Sequence, residues 1–216
     1  MKNKLISVEE AASMVKDGMT VMIGGFLAVG SPTSIINKIV ESGVKNLTII
    51  CNDTAFPDKG VGLLVANKQV KKIITSHIGT NPSTIEQLNN KEVTIEFSPQ
   101  GTLAERIRSA GAGLGGFLTP TGLGTIVQDG KQILKVDGVD YILETPLRAD
   151  IALIGASVSD TIGNLTYKGS SQNFNPIMAT AAKTVIVEAE EMVEVGQICP
   201  DNVRTPSIFV THIVKK

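Results

Sequence analysis

At 216 residues, 42% hydrophobic and 19% charged, the chain has the make-up of an ordinary globular protein with a sizeable core. A formal net charge of −1, with no basic run longer than Lys71-Lys72 or Lys215-Lys216, excludes a nucleic-acid-binding surface, which needs clustered cations to displace counterions. No apolar run approaches the roughly 20 residues of a membrane span and the N-terminal stretch has no apolar leader segment, so a cytoplasmic protein without membrane partners is expected.

In chain order, Ser7-Val8-Glu9-Glu10 is a capping box and predicts a helix running to about Asp17-Gly18, with Asp17 as a turn residue. "MTVMI" is a short buried strand that runs into the glycine-rich turn of Gly24, Gly25 and Gly30. Ser31-Pro32 then has the form of an N-cap followed by proline at the first helical position. The helix it opens presents Ile35, Ile36, Ile39 and Val40 at core spacing and stops at Gly43. The cycle repeats: "NLTIICN" strand, "GVGLLVAN" helix, "VKKIITS" strand, a helix opened by Pro82, "VTIEFS" strand and a helix from about Gly101.

After Ala110 the regularity breaks. "GAGLGGFLTPTGLGT" has no periodicity and is read as a long ordered loop or lid. Asp137-Gly138 between two alternating runs signals a hairpin. "ADIALIGAS" and "KTVIVEAE" are further buried strands with a helix between them, and "SIFVTHIV", with His212 inside it, is the last strand. The expected fold is α/β: one domain over residues 1–216, an open, mostly parallel sheet with helices on both faces, a small β-hairpin and a glycine-rich loop.

In such sheets ligands gather at the carboxyl ends of the strands. Three stretches lie there: the glycine turn, Asn52-Asp53 after "LTIIC", and "SPQGT" after "VTIEF". The glycines free backbone N–H groups, and the helix opened by Pro32 favours negative charge at its start. Asn52 and Gln100 are neutral amides of the kind that stabilise an oxyanion on an attacked acyl carbonyl. The plainer alternatives stand beside this, Asn52 as a turn residue and Gln100 as a helix cap. His77, at a strand end, is placed to line a cleft or to serve structure alone. Glu105, Arg106 and Arg108 read as a solvated ion pair on a helix face. Cys51 and Cys199 make no CxxC pair, and with only His77 and His212 as imidazoles no metal site is expected. No G-x-S-x-G elbow, Walker loop or H-E-x-x-H is present.

The run from Asp17-Gly18 through the apolar strand to Gly24-Gly25-Phe26, then Gly30 and Pro32, resembles the N-terminal signature of the family I CoA-transferases. "SHIGTNP", "SPQGTLAERIRSAGAGLGGFLTPTGLGT" and "GNLTYKGSSQNFNP" are similar to the same family, specifically to the α subunits of its acetate/acetoacetate/butyrate type. The resemblance implies CoA transfer between short-chain carboxylates by a ping-pong route through a glutamyl-CoA thioester, with coenzyme A as substrate and no cofactor. It places the nucleophilic glutamate in a Ser-Glu-Asn-Gly stretch of a β subunit, and no such tetrapeptide occurs here. It further implies that Gly24, Gly25, Phe26, Leu27, Ala28, Val29 and Gly30 approach the CoA thioester. Gln100 and Asn52 would line the acyl pocket, Gln100 as oxyanion donor, in an α2β2 assembly. The alternatives on a related scaffold are a sugar-phosphate-binding regulatory module, which would want a basic extension, and a sugar-phosphate isomerase, which would need its acid and base in this chain.

Overall fold

The computed structural model describes residues 4–216; the first three residues, part of the stretch read as free of a leader segment, lie outside the described residues. Its elements run α1 (Val8–Ser13), β1 (Thr20–Ile23), α2 (Thr33–Ser42), β2 (Leu47–Ile50), α3 (Val61–Ala66), β3 (Val70–Thr75), α4 (Pro82–Asn89), β4 (Thr94–Phe97) and α5 (Gln100–Gly111). They continue with β5 (Phe117–Thr119), β6 (Ile133–Val136), β7 (Val139–Glu144), β8 (Ala149–Asp160), β9 (Leu165–Thr166), α6 (Asn175–Met178), β10 (Ala182–Val193) and β11 (His212–Lys215). The main sheet has the order β11-β10-β8-β1-β2-β3-β4, all parallel, with β9 pairing antiparallel to β8. A separate three-stranded antiparallel sheet has the order β5-β7-β6.

Alternation along the strands fills two cores. Val21, Ile23, Ile49 and Ile73 face one side and pack with Ala11, Ile35, Ile36, Ile39 and Leu64 of α1, α2 and α3. Met22, Ile50 and Ile74 face the other and meet Leu103 and Ile107 of α5 and Met178 of α6. Both faces of the sheet are therefore dry, which is why its strands read as continuous apolar runs. The open, mostly parallel sheet with helices on both faces is as expected.

The order of strands creates the site. From β1 the chain steps outward through β2, β3 and β4, then crosses by α5 and the small sheet to return as β8 on the other flank of β1. The direction of winding reverses at β1, so the crevice beyond its carboxyl end is where a doubly wound sheet offers room for a ligand.

Several expectations change. Helix α1 keeps its capping box, Ser7 Oγ accepting from Glu10 N at 3.1 Å, but ends at Ser13, short of Gly18. The stretch read as a long ordered loop or lid holds β5, which pairs Phe117 to Thr119 with β7 and widens the hairpin into a sheet. Asp137 and Gly138 do close that hairpin, with φ of 50° and 80°, as a two-residue turn with both angles positive requires. The helix between β8 and β10 is a single turn, and "SIFVTHIV" is extended only from His212, because Pro206 leads into a 3₁₀ turn over Ser207–Phe209. No described helix is long and apolar enough to cross a membrane.

Candidate active site

A cavity of about 370 Å³ opens at the carboxyl ends of β1, β2 and β3. Its walls are Phe26 and Leu27 from the turn after β1, Asn52 and Asp53 after β2, Ser76, His77 and Thr80 after β3, and Gln100 at the start of α5. Asn52 and Gln100, proposed from separate strand ends, are in contact: Gln100 Nε2 donates to Asn52 Oδ1 at 2.8 Å. Asn52 is buried and Gln100 is exposed, so the pair runs from the cavity floor to its mouth. The donor direction is set by chemistry. Asn52 Nδ2 lies 2.7 Å from Asp53 Oδ2, and an ionised carboxylate only accepts, so the oxygen of Asn52 must face Ser76 Oγ and Gln100. One N–H of Gln100 is thereby used and the other remains for a ligand.

The glycine turn is more rigid than its composition suggests. Phe26 and Val29 exchange both backbone hydrogen bonds, at 3.1 and 2.9 Å, around Leu27 and Ala28 at φ of 47° and 69°. Two non-glycine residues in the left-handed region cost about 1–2 kcal/mol each, so the turn persists only because other groups hold it. Asp53 accepts from Leu27 N with both carboxylate oxygens, at 3.2 and 3.1 Å. Asn173 Oδ1 accepts from Gly25 N at 3.1 Å, Asn173 Nδ2 donates to Val29 O at 3.0 Å, and Asn175 Nδ2 donates to Gly30 O at 3.1 Å. A Cβ on Gly24 would collide with Asn175, one on Gly25 with Ser31 Oγ, and one on Gly30 with the Ser171 carbonyl. The close approach that makes these positions glycine is that of the chain's own residues.

The turn also divides its residues between two cavities. Phe26 and Leu27 face the first, while Ala28, Val29 and Gly30 border a second, of about 260 Å³, together with Gly155, Glu188 and Lys216. Glu188 corrects two readings. Ser31 does not cap α2: its hydroxyl donates to Gly24 O at 2.8 Å, and the N-cap position belongs to Pro32. The first-turn amides of Ser34 and Ile35 instead donate to the buried Glu188 carboxylate at 3.2 and 3.0 Å, so the negative charge this helix end favours comes from β10.

Arg106 is a further correction. Glu105 and Arg108 form the expected surface pair, but Arg106 is buried. Its Nη1 donates to Glu96 at 2.8 Å, its Nε to Thr145 O at 2.9 Å, and Glu144 lies 3.6 Å away with Lys131 on its other oxygen at 2.6 Å. Burial raises the pKa of Glu96, but hydrogen bonds and charge from Lys72 and Arg106 outweigh it and hold the carboxyl below its usual range. Arg106 thus fastens α5, and Gln100 at its start, to β4 and to the small sheet. His77 lies exposed at the cavity rim.

The family model for Coenzyme A transferase matches residues 5–216. The chain belongs to the coenzyme A transferase family.

This transferase chain is 53% identical over 216 residues to the acetoacetyl-CoA:acetate/butyrate CoA transferase alpha subunit of Clostridium acetobutylicum, covering 100% of this chain and 99% of the relative. It is 52% identical over 214 residues to the acetate CoA-transferase subunit alpha of Escherichia coli K12, covering 99% and 97%. Among solved structures, an acyl-CoA transferase of E. coli O157:H7 (YdiF), in a thioester complex with CoA, superposes with a TM-score of 0.89 at 21% identity. The match covers all of this chain and 47% of that one. Glutaconate coenzyme A-transferase of Acidaminococcus fermentans has a TM-score of 0.86 at 19% identity, covering 98% of this chain and 75% of that one. At such identities the two structures speak for the transferase fold. Membership bears out the resemblance carried by the Asp17–Pro32 signature, and the sugar-phosphate module and isomerase readings find no support.

Asp53, Asn173 and Asn175 were not assigned a role from the sequence. Their signal was present in the Asn-Asp pair ending β2 and in "SQNFNP", but nothing local ties either to the glycine turn.

Proposed function

We propose that this chain is the α subunit of an enzyme that exchanges CoA between short-chain carboxylates of the acetate, acetoacetate and butyrate class. The observation that carries the reading is the unequal chemistry of the first cavity. It presents an amide donor at Gln100, while the one carboxylate among its described walls, Asp53, is held by the amides of Leu27, Ala55 and Asn52. A carboxylate so engaged is a poor nucleophile. The site is equipped to stabilise an oxyanion and lacks the group that attacks.

The attacking glutamate then comes from a β subunit. Its carboxylate adds to the thioester carbonyl of the acyl-CoA, and the tetrahedral oxyanion is stabilised by the free N–H of Gln100. Collapse breaks the C–S bond and leaves an acyl-glutamyl anhydride and CoA thiolate. The thiolate attacks the glutamyl carbonyl, expels the first carboxylate and leaves a glutamyl-CoA thioester, which a second carboxylate enters by the reverse steps. Phe26 and Leu27, on the cavity side of the glycine turn, form the wall along which the thioester arm lies. The assembly is read as a cytoplasmic α2β2 heteromer. Both carbonyl steps use amide donors and a carboxylate, so coenzyme A is needed as substrate only and activity survives a chelator.

The purified chain should show no CoA transfer from acetoacetyl-CoA to acetate and should gain it when mixed with its β partner. Full turnover by this chain alone would overturn the reading. Equilibrium sedimentation of the mixture checks the stoichiometry.

A further inference from the structure

We propose that Asp53 is a positioning residue for CoA transfer: it fixes which face of the Asn52–Gln100 amide pair donates, and it anchors the Leu27–Ala28 turn to that pair. The proposal rests on the reading of Gln100 as the oxyanion donor.

Asp53 lies 5% exposed at the end of β2, where each of its oxygens accepts hydrogen bonds and neither can donate. Oδ1 takes Ala55 N at 2.8 Å and Leu27 N at 3.2 Å, and Oδ2 takes Asn52 Nδ2 at 2.7 Å and Leu27 N at 3.1 Å. The amide of Asn52 can be turned either way about its terminal bond with almost no change in shape, and its neighbours choose between the two. Ser76 does not choose, because its one hydroxyl proton goes chiefly to the Asn52 backbone carbonyl at 2.7 Å and its oxygen, 3.2 Å from the Asn52 side chain, can accept as well. Gln100 does not choose, because its own amide turns as readily. Asp53 is the one neighbour in this chain of contacts with a single polarity. It therefore sets Asn52 with nitrogen inward and oxygen outward, and this in turn sets Gln100 with Nε2 on Asn52 and one N–H facing the cavity.

The same carboxylate holds Leu27 N, the amide inside the strained turn. Turn and amide pair are thus fastened to one group, so the wall along the thioester arm and the donor for its carbonyl keep a fixed spacing. A neutral replacement separates these tasks. In Asp53→Asn one side-chain atom still accepts from Leu27 and Ala55, but the other becomes a donor facing Asn52 Nδ2. Asn52 must turn over to meet it, and Gln100 must then present its oxygen where it now presents nitrogen.

The test uses the α subunit assembled with its β partner and four variants: Asp53→Asn, Asp53→Ala, Gln100→Ala and Asp53→Ala/Gln100→Ala. Each is followed by steady-state kinetics and by thermal unfolding. Asp53→Asn should lower kcat about 10- to 100-fold with KM for acyl-CoA changed less than threefold, since the turn keeps its anchor. Asp53→Ala should lower kcat as much and also raise KM. The double variant should have a kcat within about threefold of Gln100→Ala, because a group that acts through Gln100 has nothing to act on once it is removed. Wild-type kcat in Asp53→Asn, or a double variant in which the two losses multiply, overturns the proposal. If Gln100→Ala itself keeps wild-type kcat, the reading of Gln100 fails and this proposal with it; if Gln100→Ala is impaired and Asp53→Asn is not, only the positioning role fails. Should Asp53→Ala not assemble, the isosteric Asp53→Asn alone decides through the split between kcat and KM.

Discussion

Two helices of the same sheet begin in opposite ways. At α2 the amides of Ser34 and Ile35 are closed off by the buried Glu188 carboxylate, which the chain brings from β10. At α5 the N-cap is Pro99, which offers no side-chain cap, and a Cβ added at Gly101 would meet open space. Its first residue, Gln100, turns its side chain to Asn52 and the cavity. A helix start carries partial positive charge in both cases. At α2 the protein supplies its own anion; at α5 the positive end is left beside the point at which the proposed reaction would build up negative charge. On the proposed reading, the first arrangement serves stability and the second serves chemistry.

Gln100→Ala is the sharpest way to break that distinction. Losing one oxyanion donor costs about 10²–10³ in kcat, or roughly 3–4 kcal/mol, and here the loss should exceed the change in KM because the bond forms mainly in the transition state. The unfolding midpoint of the assembled enzyme should hardly move. A lowered midpoint with wild-type kcat would make Gln100 a helix cap after all. Glu188→Ala should do the reverse. It strips one buried and one half-buried amide of their acceptor, a loss of about 1–3 kcal/mol, read as a midpoint lower by several degrees with kcat nearly unchanged. A large drop in kcat at unchanged stability would show that the α2 end serves catalysis too.

The pH dependence tests how α5 is held. Glu96 is below its ordinary pKa of 4.5 in the folded chain, so its contribution to stability is complete above that value and is lost as the pH falls through the lower, folded one. Because Glu96 is about a third exposed, the effect is under about 1 kcal/mol. Urea unfolding at pH 7 and pH 3.5 should show a smaller acid loss in Glu96→Gln than in the parent; equal losses would remove Glu96 as an anchor of α5. The smallest effect concerns the wall behind the amide pair. Burial, against a hydrogen bond to Thr75 and with the charge of Asp53 adding to it, pushes the Cys51 thiol up to about 12. A maleimide at pH 8 should label the exposed Cys199 alone until denaturant is added, and labelling of both in the native protein would mean that water reaches behind Asn52.

Features set by neighbours in sequence were legible in advance. The Ser7–Glu10 box, the Asp137-Gly138 turn, the stop of α2 at Gly43 and the placing of Asn52 and Gln100 at strand ends all follow from a few adjacent residues. Contacts between distant residues were not. Ser31 has the form of a cap, yet a carboxylate 153 residues from Ile35 takes the role, and nothing around Glu188 announces it. Arg106 sits between Glu105 and Arg108 on a surface-like stretch, but the helix turns it inward to Glu96 and Glu144. The glycine turn was read for what it leaves open to a ligand, and only the fold brings Asn175 into the space beside it and Asn173 onto its backbone. The resemblance to the transferase family lies in four motifs spread between Asp17 and Pro176, a signal that composition and periodicity alone do not contain.

The strand order also fixes a sequence of events in time. On the ribosome β1 gains β2 as its neighbour almost at once, but its other flank waits for β8, which ends at Asp160. At about 5–20 residues per second that flank stays open for roughly 7–27 s of synthesis. The two asparagines that grip the glycine turn emerge later still, at 173 and 175. A nascent chain therefore carries a paired but one-sided sheet, and the glycine turn beside the candidate site is among the last parts to be locked.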